Sequence, residues 1–165
     1  MAYTVIRTDL MSGTKQPADM VSIRFYDGGG DPAEVENGVI VKLDGLEDNQ
    51  REIHKSAAAA SSDNLNDCAI VAGVEVMYDE RKKNLDDYIN EAGKIVRAYI
   101  PRSRNKFSVT KEGFVGSTVP AVGDSVGIGA AGKIDASGTG LGVCRLIEIA
   151  GRYTYYTIEI DRTEV

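Results

Sequence analysis

The chain has 165 residues, of which 42% are hydrophobic and 27% charged, and carries a formal net charge of −6 at pH 7. That length makes one domain, or one domain with an appended lobe, and it buries a core without disulfide or metal staples. The acidic balance argues against nucleic-acid binding, which needs clustered Lys and Arg against phosphate, and leaves solubility as its ordinary meaning.

Taken in chain order, the sequence reads as short β segments punctuated by turns. "YTVIR" (3–7) and "MVSIRFY" (20–26) carry β-branched and aromatic residues, and the polar stretch between them holds Gly13 and Pro17. "FYDGGGDPAEVENG" is a loop, because three consecutive glycines and a proline sit poorly in a ladder. "GVIVKLDGLEDNQREIHKS" predicts two strands joined around "DGLEDNQ", with Val39, Val41 and Leu43 alternating with Ile40, Lys42 and Asp44. "AAAASSDNLND" mixes helix-favouring alanines with turn-favouring Ser, Asp and Asn, and predicts one helical turn or a loop. "CAIVAGVEVMY" (68–78) is apolar throughout and predicts a central strand with a bulge near its glycine.

The stretch from 84 to 93 predicts the one short helix. Asn84 caps it, Asp86 and Asp87 fall in its first turn and Gly93 ends it. Leu85, Tyr88, Ile89 and Ala92 match the i, i+3, i+4, i+7 spacing of a single packed face. From "KIVRAYIP" onward the pattern returns to strand and turn, through "KFSVT", "DSVGIG", "GKIDA", "LGVCRLIEIA" and "YTYYTIEI". The last two predict a hairpin turning at Ala150, Gly151 and Arg152. In its second strand Tyr156, Ile158 and Ile160 share one face, and Tyr155, Thr157 and Glu159 the other. Short strands with turn signals at about 8 to 12 residue spacing predict a mainly β fold, a small barrel or sandwich. The expected organisation is an N-terminal arm or edge strand over 1–20 and a mainly-β domain over 21–165, one body or two lobes meeting near 100.

Motifs that carry chemistry are few. "GIGAAG" (127–132) with Lys133 after it matches the dinucleotide fingerprint and nearly matches a phosphate loop, whose last position holds Ile134 where Ser or Thr would bind magnesium. A nucleotide site needs a buried strand before the glycines and a long helix after them. The next residues are "KIDASGTGLGVC", with Gly138, Gly140 and Gly142 where the helix would run. The expected structure is strand, turn, strand, with Gly127, Gly129 and Gly132 as backbone devices. His54 is the single histidine and has no second ligand or nucleophile motif beside it. Cys68 and Cys144 both sit in apolar runs, which predicts buried thiols over the alternative of a disulfide. The loops "DGGGDPAEVE" and "DGLEDN" hold carboxylates without the spacing of a helix–loop–helix calcium site. No cofactor or metal and no enzymatic activity are expected. The start, "MAYTVIRTDL", lacks a signal-peptide pattern, and no apolar run approaches the roughly 18 residues of a membrane helix. The expectation is therefore a protein made in a cytoplasm, without membrane or nucleic-acid partners.

The segments "ENGVIVKLDGL", "YDERKKNLDDYINEAGKIVRAY", "KFSVT" and "YTYYTIEI" resemble the capsid decoration, or cement, proteins encoded beside the major capsid protein in tailed phages of Gram-positive bacteria. The resemblance covers residues 36 to 160. The chain differs from the compact lambda-type decoration proteins in its length and in the 79–94 insertion. The resemblance implies a structural virion protein, a homo-oligomer and most often a trimer, bound to the major capsid protein on the outer shell surface. Residues Tyr3, Val5, Ile6 and Arg7 are the candidate capsid contact, through strand addition by the arm, with an edge strand of the chain's own domain as the alternative. A module that binds a receptor or glycan through exposed tyrosines such as Tyr153, Tyr155 and Tyr156 is the other reading.

Overall fold

The computed structural model describes residues 2–11, 19–82 and 84–161 and is mainly β. Residues 12–18, with Gly13 and Pro17, lie outside the described residues. Five strands close a barrel: β1 (Met20–Phe25), β2 (Ile40–Leu46), β3 (Ile53–Ala58), β4 (Cys68–Val71) and β5 (Val96–Tyr99), in the order β1-β3-β2-β4-β5. β1 closes the ring by running antiparallel to β5 on one side and parallel to β3 on the other. A second sheet holds β6 (Lys106–Val109), β7 (Ser125–Ile128), β8 (Ile134–Asp135), β9 (Gly140–Ala150) and β10 (Tyr153–Ile160), in the order β6-β10-β9-β7-β8. Barrel and sheet therefore divide the chain between Tyr99 and Lys106. Among the described residues no helix is long and apolar enough to cross a membrane.

The apolar runs explain how the two bodies join. Alternate residues along β4 and the start of β2, with Val39 just before it, point into the barrel, where Val39, Val41, Ala69 and Val71 meet Ile23, Val96 and Ala98. The residues between them, Ile40, Cys68 and Ile70, point outward and pack with Phe107, Phe114, Ile134, Leu141, Cys144, Ile158 and Ile160 of the second sheet region. One wall of the barrel is thus also half of the second core. A strand buried on both faces reads as unbroken hydrophobicity, which is why "CAIV" shows no alternation. Both cysteines are buried thiols outside any disulfide, as the apolar context predicts.

Two expected elements differ. The run 68–78 pairs as a strand only over Cys68–Val71, because a side chain takes over at Gly73: Asn37 Oδ1 accepts from the Gly73 N–H at 2.8 Å and Asn37 Nδ2 donates to its carbonyl at 3.1 Å. The helix expected over 84–93 is a single 3-10 turn, Leu85–Asp87, with the Asn84–Asp87 capping box in place. To continue, the Asn90 N–H would have to bond the Asp86 carbonyl. Instead Asn90 donates to the Val35 carbonyl at 3.1 Å, and the Asp86 carbonyl accepts from Tyr3 N at 3.0 Å. Tertiary partners hold both groups, and so short a helix has little intrinsic stability to set against them.

The "GIGAAGK" stretch is strand, turn, strand: β7, the 3-10 turn Ala130–Gly132, then β8. It is also the joint between the two bodies. Gly132 has φ +70°, and a Cβ there would overlap the Ile40 carbonyl oxygen and lie 3.0 Å from Val39 Cγ1. Lys133, which a phosphate loop would aim at its ligand, pairs with Glu36 at 3.2 Å and donates to the Glu112 carbonyl at 2.9 Å. Glu36 in turn accepts from the Thr4 N–H and hydroxyl at 3.0 and 2.8 Å, which ties the arm, barrel and sheet at one carboxylate. Gly132→Ala should lower unfolding free energy by about 2–4 kcal/mol. Gly28, around which nothing lies within 4 Å, should tolerate Ala within about 0.5 kcal/mol. Urea titration of the two variants checks this, and equal effects would contradict the close approach.

Candidate interaction surface

The arm residues lie along the free side of β6. Ile6 bridges Val109, Arg7 donates from its backbone to the Ser108 carbonyl at 3.0 Å, and the Val5 carbonyl accepts from Thr110 at 3.1 Å. Val5 and Ile6 are 1% and 2% exposed, so their side chains belong to the chain's own core. Tyr3 and Arg7 remain partly exposed. Arg7 makes a bidentate pair with Asp9 at 2.8 and 2.7 Å and lies 5.4 Å over the Tyr155 ring. The hydrogen bonds to Asp9 hold its guanidinium well above the ordinary arginine range. The structure therefore lays Val5, Ile6 and Arg7 beside β6 through the single bridge Ile6–Val109, while Tyr3 donates from its backbone to the Asp86 carbonyl.

The tyrosines do not make an open stack. Tyr155 is buried, and burial pushes its phenol above the usual range. Tyr156 is partly covered and meets Phe114 edge to face at 5.4 Å. Tyr153 and Arg152 both reach Asp86, at 2.9 and 2.7 Å, and so tie the hairpin tip to the loop before β5. The exposed tyrosine is Tyr78, at 94%. His54 lies on β3, its ring nitrogen 3.2 Å from the Asp44 carbonyl. Asp27 is occupied by its own loop, accepting from Gly29 and Asp31 at 2.8 and 3.0 Å.

The open feature is the outer half of the β9–β10 hairpin. β9 is the longest of the strands, yet β7 pairs with it only between Gly140 and Val143. Beyond Cys144, which exchanges hydrogen bonds with Gly123 and Asp124, no strand of the described residues lies along that edge. Leu146, Ile147 and Ile149 are 48%, 38% and 79% exposed there. Ile147 stands opposite Tyr156 and Ile149 opposite Thr154, so both isoleucines extend the face that carries Ile158 and Ile160 into the core. The register shift between Thr157 and Ile158 twists this half away from the rest. An edge that offers unpaired backbone groups beside apolar side chains is a template for another strand. The hairpin itself was legible in the sequence. Its openness was not, since alternation does not reveal which residues outlast the neighbouring strand.

A second exposed feature is the segment after β4. Residues 74 to 80 alternate outward and inward without pairing, and Val74 and Val76 are 59% and 52% exposed. Its flanks are fastened by a buried amide pair. Besides binding Gly73, Asn37 Oδ1 accepts from Asn90 Nδ2 at 2.9 Å, and Asn90 Nδ2 also donates to the Val35 carbonyl at 2.9 Å. Asn90 Oδ1 accepts from Tyr88 at 2.9 Å. Glu75 lies against this pair, and burial raises its carboxyl above the ordinary 4.5. No known protein family, curated protein or solved structure matches the chain.

Ionising Glu75 costs the native state more than the unfolded chain. Below the ordinary glutamate value both states hold the proton. As the pH rises through 4.5 the unfolded chain ionises first, so the wild type loses stability that Glu75→Gln keeps. Denaturation from about pH 4 to 8 should show the variant's relative stability growing with pH and then levelling. A flat difference would contradict the burial of this group.

Proposed function

We propose that this chain is a structural virion protein that binds the outer surface of a phage capsid and stabilises it. The observation that carries this reading is the open, apolar outer edge of β9. A cement protein works by burying surface between shell subunits, and strand addition supplies main-chain hydrogen bonds for affinity and side-chain pockets for register. Leu146, Ile147 and Ile149 provide the apolar area beside that edge, and the doubly cored body behind it provides stiffness. The partner is the major capsid protein, and several copies of the chain, three in this reading, sit around a shell axis. The resemblance of residues 36 to 160 to capsid decoration proteins supports the same assignment.

The arm fits this reading in a modified role. With Val5 and Ile6 in the core, Tyr3 and Arg7 are the members of the expected contact set that keep surface to offer. Ile149→Lys places a charge at a largely exposed position and should leave the melting temperature unchanged. In co-sedimentation with expanded shells of the major capsid protein, it should weaken binding by about tenfold or more. Binding equal to that of the wild type would remove β9 from the contact.

A further inference from the structure

The exposed segment between β4 and β5 has the properties of a protease substrate, and its anchors have the properties needed to survive a cut. An endopeptidase binds a run of residues in extended form through their backbone groups, so it needs a stretch that is exposed and free of ladder partners. Residues 74 to 80 are extended with alternate side chains outward. Among the described residues the backbone bonds within 74–82 are all local: Val76 to Val74 at 2.9 Å, Lys82 to Asp79 at 2.9 Å, and the Arg81 N–H to the Asp79 carboxylate at 3.0 Å. Arg81 has its side chain 89% exposed and paired to Asp79 at 2.8 Å. An exposed ion pair two residues apart adds little resistance to rearrangement. Other exposed arginines are poorer substrates. Arg97 and Arg145 lie in ladders, Arg51 lies in the loop closed by the Glu47 N–H to Ile53 carbonyl bond, Arg102 is anchored to buried Asp19 at 2.6 Å, Arg152 sits at a tight hairpin end, and the Arg104 N–H is bonded to the Ile160 carbonyl.

We propose that the Arg81–Lys82 bond is a processing site for an arginine-directed endopeptidase, and that the cut chain persists as a two-fragment assembly. Water adds across that peptide bond, leaving a carboxylate on Arg81 and an amine on Lys82. Strand pairing, core packing and polar contacts each span the break. β5, from the second fragment, closes the barrel by pairing with β1 and β4 of the first. Ile40, Cys68 and Ile70 share their core with Phe107, Ile134 and Ile158. The amide pair Asn37–Asn90, the Glu36–Lys133 pair and the Tyr3–Asp86 hydrogen bond each join one fragment to the other. Cleavage thus releases one end of the segment bearing Val74, Val76 and Tyr78 while the body stays assembled.

The test is timed digestion of the full chain by an arginine-specific endopeptidase, with intact-mass analysis under denaturing and native conditions. The expected result is a first cut after Arg81, giving two masses when denatured and one particle of nearly unchanged mass when native. Arg81→Gln should lose that cut while keeping the wild-type melting curve. A first cut at Arg51, Arg152 or elsewhere, resistance of the wild-type chain, or separation of the fragments in native buffer would each overturn the proposal.

Discussion

The structure depends on β4 and the start of β2, which are buried on both faces. β2 and β4 line the barrel with one set of alternate residues and roof the second core with the other. Neither sheet covers its own apolar face alone, so the barrel and the five-stranded sheet are mutual requirements. The contact has to be close, and it is made so at Gly132, where the backbone of one body meets the Ile40 carbonyl of the other without a side chain between. Around this apolar contact stands one carboxylate, Glu36, receiving the arm through Thr4 and the second sheet through Lys133.

That arrangement also governs which surface stays uncovered. The second sheet packs on the barrel through Leu141 and Cys144 of β9 and Ile158 and Ile160 of β10, and the hairpin tip is tied to Asp86 by Arg152 and Tyr153. Its inner face stays apolar because Ile147 and Ile149 continue the series begun by Ile158 and Ile160, and there they are 38% and 79% exposed. Apolar side chains beside a free strand edge are an aggregation hazard that natural sheets ordinarily blunt with charge or bulges. Here Glu148 and Arg145 flank the isoleucines and a register shift bends the strand, a partial protection compatible with pairing to one chosen partner. The proposed role rests on that uncovered surface.

The sequence made some of this legible and hid the rest for definite reasons. Alternation in "YTYYTIEI" and the Gly151–Arg152 turn identify the final hairpin, because both signals are local. "GIGAAG" reads correctly as a turn between strands, because the glycines after it forbid the helix a nucleotide site requires. The 84–93 stretch misleads: its cap and spacing favour a helix, but Val35, Tyr3 and Arg152 claim its backbone and side chains from distant positions. Likewise "YTVIR" reads as a strand but carries no mark of whose sheet it joins. It lies along β6, and the Val5 to Thr110 hydrogen bond there spans a sequence separation of 105 residues. The parallel pairing of β1 with β3 and the ending of β4 by the Asn37 side chain are equally non-local.

In the proposed role the outer edge of β9 receives a strand of the capsid protein, while the arm stays in its own fold. Hydrogen exchange read by mass spectrometry, on the chain free and bound to expanded shells, addresses this directly. Amides over residues 145–150 are expected to become protected on binding, while those over 3–7 keep the protection they have in the free protein. Protection gained at 3–7 with none at 145–150 would contradict that role for β9.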